Sequence, residues 1–278
     1  MSIKAVADFL VKLALAEDIG RGDITTRAII AKNQTAKAVI TAKEAGVIAG
    51  LDVAADVFRQ TDHRIKFSPK VRDGASVKKG QIVAVLTGPA QGILTGERTA
   101  LNFLQHLSGI ATLTRNFKLQ TSTRKTRILD TRKTIPGIRL LEKYAGKCGG
   151  GANHRMGLHD AILIKDNHIK LAGGVSKAIA KVRSAGHGVR GIEVEAKNIS
   201  EVKQAIAAGV GRILLDNMNT KTLRQAVKLC KRAKIKTEAS GGVNLQSVRA
   251  IAKTGVDYIS VGELTHSAPA LDLNLKIV

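Results

Sequence analysis

The chain has 278 residues, 44% of them hydrophobic, and its 45 basic residues outnumber 22 acidic residues to give a net charge of +23. No uninterrupted apolar span approaches the roughly 20 residues that a membrane helix needs, so composition predicts a soluble protein with an ample core. Neither of the two cysteines, Cys148 and Cys230, stands in a CxxC or Cys/His ligand spacing, which argues against a disulfide framework and against structural zinc.

The positive charge is unevenly distributed along the chain. Residues 1–107 contain 15 basic and 10 acidic residues, whereas residues 108–278 contain 30 and 12. The second part is therefore expected to bind anionic partners, and nucleic acid is one candidate. Aromatic residues for base stacking make up only 3% of the chain, and no helix-turn-helix, zinc-finger or RNA-binding motif is present, so nucleic acid is the weaker candidate.

The N-terminal twenty residues predict an amphipathic helix, because charged residues such as Lys4, Asp8 and Lys12 interrupt the apolar ones. No small-residue cleavage site follows, so we expect a cytoplasmic protein. The glycine-punctuated segment 17–26 is predicted to be a loop. A compact α+β unit is predicted to follow, with strands at 35–42, 46–49 and 64–68, a helix at 51–60, and a strand, turn and strand over 75–88.

A long helix is predicted from Pro89 onward, because apolar residues recur there at helical spacing. Arg98 falls on the apolar stripe, four residues after Leu94 and three before Leu101. Two interpretations stay open. Arg98 either lays its stem on the core and reaches water, or is covered by protein and meets a buried anion.

From residue 127 the chain alternates short apolar strands with segments long enough for one helix each. The predicted strands are RILDT (127–131), AILIKD (161–166), GIEVEA (191–196), RILLDN (212–217), IKTEASGG (235–242) and DYISVGE (257–263). Alternation of this kind predicts a parallel sheet or barrel. Six strands are fewer than the eight of a complete barrel, so either the barrel is incomplete or its remaining strands are hard to recognise in the sequence. Helices are predicted at 200–208 and 220–233, the latter with a basic, solvated outer face.

Polar residues follow these strands where catalytic groups of barrels lie. They are Asp130 to Lys133, Lys165, Glu193, Glu195, Asp216, Ser240 to Gly242, and Ser260 to Gly262. Glycines after the last two strands indicate a phosphate-binding site built from backbone N–H groups, with simple turns as the alternative. Glu195 and Asp216 suit Mg²⁺ or sugar hydroxyls, unless they pair with nearby Lys or Arg.

A run of three glycines, Gly149 to Gly151, precedes the pair His154 and Arg155. The run either forms a mobile loop or is held against an anion by the adjacent cations. The four cations Arg132, Lys133, Arg155 and Lys165 outnumber the pair Glu195 and Asp216 at the same face. The ligand is therefore expected to carry several negative groups, including a phosphate, a metal-bound diphosphate and carboxylates.

Together these motifs resemble one enzyme family. They are GERTALNFLQHLSGIAT, ILDTRKTIPG, CGGGANHRMGL, ILIKDNHI, IEVE, LLDNM, EASGG and DYISVGELTHSAPALDL. They closely resemble quinolinate phosphoribosyltransferases, and the likeness runs from Glu17 to Leu273. It implies an α/β fold with a hammerhead-like N-terminal α/β sandwich (1–107) and an incomplete parallel α/β barrel (108–278). Whether the last ten or so residues return to the N-terminal domain stays open.

The resemblance also implies the reaction and the roles of residues. Quinolinate and phosphoribosyl pyrophosphate would give nicotinate mononucleotide, diphosphate and carbon dioxide, in NAD biosynthesis. The implied quinolinate ligands are Arg98, Arg132, His154, Arg155 and Lys165. Lys133 would stabilise the diphosphate, and Glu195 with Asp216 would bind the ribose hydroxyls and Mg²⁺. The 5′-phosphate would be bound by Ser240, Gly241, Gly242 and Gly262. A homodimer or higher oligomer is implied, with Arg98 donated to the neighbouring subunit.

Two other functions stay open on the sequence. A related barrel phosphoribosyltransferase would act on another pyridine acid or base, and a basic nucleic-acid-binding protein would bind without turnover.

Overall fold

The computed structural model describes residues 2–121 and 125–278. The chain forms two compact units that interleave along the sequence. The first unit comprises Met1–Arg115, Thr134–Gly150 and Leu264–Val278, and the second comprises Asn116–Lys133 and Gly151–Glu263. The domain limits 1–107 and 108–278 remain a prediction from the sequence. No described helix is both long enough and apolar enough to cross a membrane, and Cys148 and Cys230 are free thiols.

Helices and strands are numbered in chain order. The helices are α1 (Ile3–Ile19), α2 (Ile24–Ile29), α3 (Leu51–Thr61), α4 (Ala90–Thr121), α5 (Arg139–Cys148), α6 (Asp166–Ala172), α7 (Val175–Ser184), α8 (Ile199–Ala207), α9 (Thr220–Arg232), α10 (Val248–Ala252) and α11 (Glu263–His266). The strands are β1 (Thr35–Ala42), β2 (Gly46–Val47), β3 (Lys66–Pro69), β4 (Ser76–Val77), β5 (Ile82–Pro89), β6 (Arg127–Leu129), β7 (Ile162–Ile164), β8 (Ile192–Ala196), β9 (Arg212–Asp216), β10 (Lys236–Ser240), β11 (Tyr258–Ser260) and β12 (Leu273–Ile277).

The first unit is built on a four-stranded antiparallel sheet in the order β12-β1-β5-β3. Alternate residues of β1, namely Ala38, Ile40 and Ala42, are buried. This period of two places one face of the strand against the core. The final strand, β12, pairs with β1 along five residues, so the end of the chain is part of this sheet.

The predicted loop over residues 17–26 is wrong at both of its ends. Helix α1 continues to Ile19, and α2 begins at Ile24. Asp23 caps α2, since its Oδ1 accepts a hydrogen bond from the Thr26 N–H at 2.9 Å. A capping aspartate satisfies a backbone donor that would otherwise lack a partner. The glycines and polar residues of this segment favoured a loop, so the short helix was not predicted.

The second unit contains a six-stranded sheet in the order β6-β11-β10-β9-β8-β7, and its strand pairs are parallel. These are the six strands predicted from the sequence, so the α/β architecture is confirmed. Because β6 and β7 are the two ends of the sheet, the barrel is open between them. Helix α9 buries Leu223, Val227 and Cys230 and exposes its lysines, which confirms the predicted solvated outer face.

Candidate active site

A cleft of about 400 Å³ opens at the carboxyl ends of the parallel strands in the second unit. It contains eight of the residues predicted from the sequence: Arg132, Lys133, His154, Arg155, Lys165, Glu195, Asp216 and Ser240. Its lining also includes Thr131, Leu163, Asp166, Leu214, Glu238 and Ser260. Since parallel strands end at the same edge of a sheet, side chains far apart in sequence meet here.

Two partly buried arginines of the cleft have unused hydrogen-bond donors. Burial, and after it the positive charge of Arg132, lowers the pKa of Arg155. The Arg155 Nη1 donates to the Ala161 carbonyl at 3.0 Å. Among the described residues, none accepts a hydrogen bond from the buried Nε of either arginine. Two adjacent guanidinium groups with free donors suit carboxylate or phosphate groups, which they bind in a bidentate manner.

His154 lies in the loop that follows the glycine run and is held by two hydrogen bonds. Its backbone N–H donates to Oδ1 of the buried Asp130 at 2.8 Å. The Arg155 N–H donates to His154 Nδ1 at 2.7 Å. The other ring nitrogen, Nε2, lies 3.3 Å from Glu193 Oε2 and 3.4 Å from Glu238 Oε1. With Nδ1 as the acceptor, the ring proton lies on Nε2, which points toward the two carboxylates.

Below His154 lies a cluster of charged residues, of which the sequence interpretation named only Glu193, as a strand-end residue without a role. Arg212 Nη1 lies 3.0 Å from Glu238 Oε2 and 3.8 Å from Glu193 Oε2. The guanidinium carbon of Arg212 is 4.3 Å from the centre of the Tyr258 ring, a stacking distance for a cation and an aromatic face. Burial, and then the charge of Glu193, raises the pKa of Glu238 to about 7. The floor of the cleft therefore includes a carboxyl group that holds a proton near neutral pH.

Three carboxylates line another part of the cleft. Burial, followed by the negative charges of Asp216 and Asp166, raises the pKa of Glu195. Lys197 Nζ binds Asp166 Oδ2 at 2.9 Å and lowers the pKa of Asp166. Mutual repulsion between carboxylates is relieved by a cation, and oxygen donors are the ligands that Mg²⁺ prefers. Glu195 and Asp216 therefore present the type of oxygen donors that suits Mg²⁺.

The glycines after β10 adopt backbone conformations that require glycine. Gly241 has φ +95° and Gly242 has φ +60°, in the left-handed region that other residues avoid. A Cβ on Gly241 would also collide with the Asn217 side chain. Successive left-handed residues turn backbone N–H groups toward one side, which suits a phosphate. Gly262 lies after β11 and is half-buried.

Of the two interpretations left open for Arg98, the one in which protein of its own chain covers it is wrong. It is exposed in α4 and belongs to the first unit. The buried face of this helix is centred on Ile93, Ala100, Leu104, Leu107 and Ala111. At 3.6 residues per turn Arg98 lies about 150° from the centre of that face. The prediction placed Arg98 on an apolar stripe drawn through Leu94. Leu94 is only half-buried, so it does not mark the core-facing side of α4.

One signal in the sequence could have indicated the buried charges. Glu193 and Glu238 lie inside strands that are otherwise apolar, in the segments IEVEA and KTEAS, and both are buried. A buried carboxylate needs a partner. Arg212 begins the strand between theirs, so parallel pairing alone would have placed the three side chains on adjacent strands.

The geometry defines an open α/β-barrel protein with a cationic cleft and a left-handed glycine turn at its strand ends. Its sequence matches two family models, described as quinolinate phosphoribosyl transferase N-terminal domain (residues 23–108) and C-terminal domain (residues 110–276). The chain belongs to the quinolinate phosphoribosyltransferase family.

Relatives of known name and structure agree with this assignment. A probable nicotinate-nucleotide pyrophosphorylase (carboxylating) from Synechocystis is 47% identical over 266 residues, which cover 95% of this chain and 90% of the relative. A protein of the same name from Bacillus subtilis is 45% identical over 261 residues, covering 94% and 90%. The structure of the nicotinate-nucleotide pyrophosphorylase from Francisella tularensis has a TM-score of 0.93 and 42% identity, and the match covers 100% of this chain and 98% of that one.

Proposed function

We propose that this protein transfers the phosphoribosyl group of phosphoribosyl pyrophosphate to the ring nitrogen of quinolinate, with loss of the 2-carboxylate. The products are nicotinate mononucleotide, diphosphate and carbon dioxide, so the enzyme is a decarboxylating pentosyltransferase of NAD biosynthesis. Family membership supports the reaction, and the two free thiols support a reducing compartment such as the cytoplasm.

The observation that carries this proposal is the pair of partly buried arginines whose buried Nε donors are unused, Arg132 and Arg155. Quinolinate has two adjacent carboxylates, and a planar guanidinium binds a carboxylate through two parallel hydrogen bonds. Lys165 is exposed at the same cleft and adds a third cation. His154 shares the cleft, and its ring orients the loop that carries Arg155.

The bond exchange needs no acid or base from the protein. The ring nitrogen attacks C1′ of the ribose while the bond from C1′ to the diphosphate oxygen breaks, and the electron pair leaves with the diphosphate. Lys133, exposed at the cleft, would stabilise the charge that develops on that diphosphate. The resulting positive ring nitrogen accepts electron density when the bond from C2 to the carboxylate breaks, and C2 then takes a proton from water.

Ser240, Gly241, Gly242 and Gly262 would hold the 5′-phosphate, and Glu195 with Asp216 would hold the ribose hydroxyls and Mg²⁺. A bound Mg²⁺ would neutralise the diphosphate. Binding of Mn²⁺, followed by electron paramagnetic resonance in the presence of phosphoribosyl pyrophosphate, tests this site without turnover. We expect Asp216→Asn to weaken Mn²⁺ binding at least about tenfold, the scale for losing an ionised metal ligand. Unchanged binding would remove Asp216 from the metal site.

We further propose that two copies of the chain form a homodimer in which Arg98 enters the partner's cleft. The exposure of Arg98 on a long helix makes it available to a partner. Along the edge strand β7 lies a second, larger depression of about 1010 Å³. Two leucines near it, Leu158 and Leu171, are 73% and 86% exposed, which supports a partner subunit at this edge.

Substrate comparison tests the assignment to quinolinate. Turnover with phosphoribosyl pyrophosphate is measured separately on quinolinate, nicotinate and nicotinamide. We expect turnover on quinolinate alone. Nicotinate has one carboxylate and nicotinamide has none, so either ring would leave at least one of the two guanidinium groups without a carboxylate partner. Preferred turnover of nicotinate would replace the proposal with a related phosphoribosyltransferase.

A further inference from the structure

Glu238 is a fully buried glutamate that the reaction described above does not use. Charged or titratable groups face it from each neighbouring element. They are Glu193 on β8, Arg212 on β9, Tyr258 on β11 and His154 on the loop after β6, while the Ser260 hydroxyl also lies beside it. The same glutamate lines the cleft together with Arg132, Arg155 and Lys165.

The charges in this cluster do not balance when both glutamates are ionised. Arg212 supplies one positive charge, and the His154 tautomer whose Nδ1 accepts the hydrogen bond from the Arg155 N–H adds none. Two carboxylates therefore leave one net negative charge below the cleft. Quinolinate is a dianion at neutral pH, so its arrival brings more negative charge toward the cluster. A single proton on one glutamate removes the imbalance.

We propose that binding of quinolinate is coupled to the uptake of one proton by Glu238, which makes Glu238 a positioning residue that fixes the pH range of substrate binding. The inference rests on the proposed function, since it takes quinolinate to be the ligand of the cleft.

Glu238 is the best acceptor of that proton for two structural reasons. Its side chain is completely buried, whereas that of Glu193 is 11% exposed, so ionisation costs Glu238 more. His154 would have to break the hydrogen bond from the Arg155 N–H before Nδ1 could take a proton. Burial already raises the pKa of Glu238 toward neutrality in the free protein, and a nearby dianion raises it further.

Calorimetry of quinolinate binding to the full-length protein tests the coupling. The heat of binding is measured in buffers of different ionisation enthalpy, which yields the number of protons taken up. At about pH 8 we expect uptake of close to one proton per quinolinate, falling toward zero at about pH 6, where Glu238 is already protonated. Above neutral pH the dissociation constant of the wild type should rise up to about tenfold per pH unit.

The isosteric variant Glu238→Gln mimics the protonated side chain. It should bind quinolinate without proton uptake at about pH 8, with a dissociation constant that changes little between about pH 6 and pH 8. Glu17→Gln, at an exposed residue of α1, is the matched control and should behave as the wild type. Persistent uptake in Glu238→Gln would assign the proton to another group and overturn the proposal.

A second measurement keeps the proposal falsifiable if the glutamine variant does not fold. At about pH 8, infrared difference spectra of wild-type protein with ¹³C-labelled glutamate should gain an isotope-shifted protonated-carboxyl band when quinolinate binds. Absence of the band, with quinolinate bound, overturns proton uptake but leaves the proposed reaction intact. Failure of quinolinate to bind at all would overturn the proposed reaction and this inference together.

Discussion

Replacement of Glu238 by glutamine should change how the stability of the free protein depends on pH. Burial and the neighbouring Glu193 raise the pKa of Glu238 from its ordinary 4.5 to about 7. The folded chain therefore holds a proton that the unfolded chain releases between these two values. The stabilisation from the protonated side chain is complete below the unfolded pKa and is lost as the pH rises through the folded pKa.

The magnitude follows from the size of the pKa change. A rise of this size corresponds to about 3 kcal/mol of unfolding free energy in total, most of which is lost between about pH 5 and pH 8. The neutral glutamine does not titrate. As the pH rises over the same range, the unfolding free energy of the variant should therefore increase by that amount relative to the wild type. At low pH the two proteins should differ by a smaller, nearly constant amount, since both then carry a neutral side chain beside Arg212.

Urea unfolding at several pH values, followed by circular dichroism, measures this difference. Glu17→Gln serves as the control, because its exposed side chain gives the same chemical change without burial. A difference between Glu238→Gln and the wild type that stays constant from about pH 5 to pH 8 would refute the reasoning. It would mean that Glu238 is ionised in the folded protein throughout, with Arg212 and His154 compensating for its burial.

Four further predictions concern the cleft. Lys133→Ala should lower kcat at least about a hundredfold, the scale for losing a preorganised contact to a developing charge; steady-state kinetics with near-normal kcat would contradict its role. Arg155→Lys should mainly raise KM for quinolinate, because an ammonium group cannot make a bidentate contact; an unchanged KM would count against the contact. Gly241→Ala should weaken binding of phosphoribosyl pyrophosphate, because its φ of +95° strains any other residue, and calorimetry showing normal affinity would exclude Gly241 from the phosphate site. Arg98→Ala and Lys165→Ala homodimers should each be nearly inactive. Refolding them together in equal amounts should restore about a quarter of wild-type activity, because each mixed dimer has one intact site. No recovery, with mixed dimers present, would place Arg98 outside the partner's cleft.

The sheet of the second unit was predictable because its strands are short apolar runs that end in charged or glycine-rich segments. Residues such as Lys165 and Asp216 immediately follow or end a buried strand, and the rule that catalytic groups lie at carboxyl ends then places them together. The prediction depends only on local pattern and parallel pairing. Both were correct for all six strands.

Features that depend on three-dimensional packing could not be predicted in the same way. The side of α4 that carries Arg98 was assigned from Leu94, yet a long helix has apolar residues around much of its circumference, and burial decides which of them face the core. The contact of His154 with Glu238 joins residues that are distant in sequence, so no local pattern contains it.

The most direct test of the proposed function is the release of diphosphate by the purified protein. The assay follows diphosphate and carbon dioxide with Mg²⁺ present, while quinolinate and phosphoribosyl pyrophosphate are supplied singly and together. We expect both products in equal amounts, and only when both substrates are present, because decarboxylation follows transfer to the ring nitrogen. Diphosphate release without quinolinate, or without an equal amount of carbon dioxide, would contradict the proposed reaction.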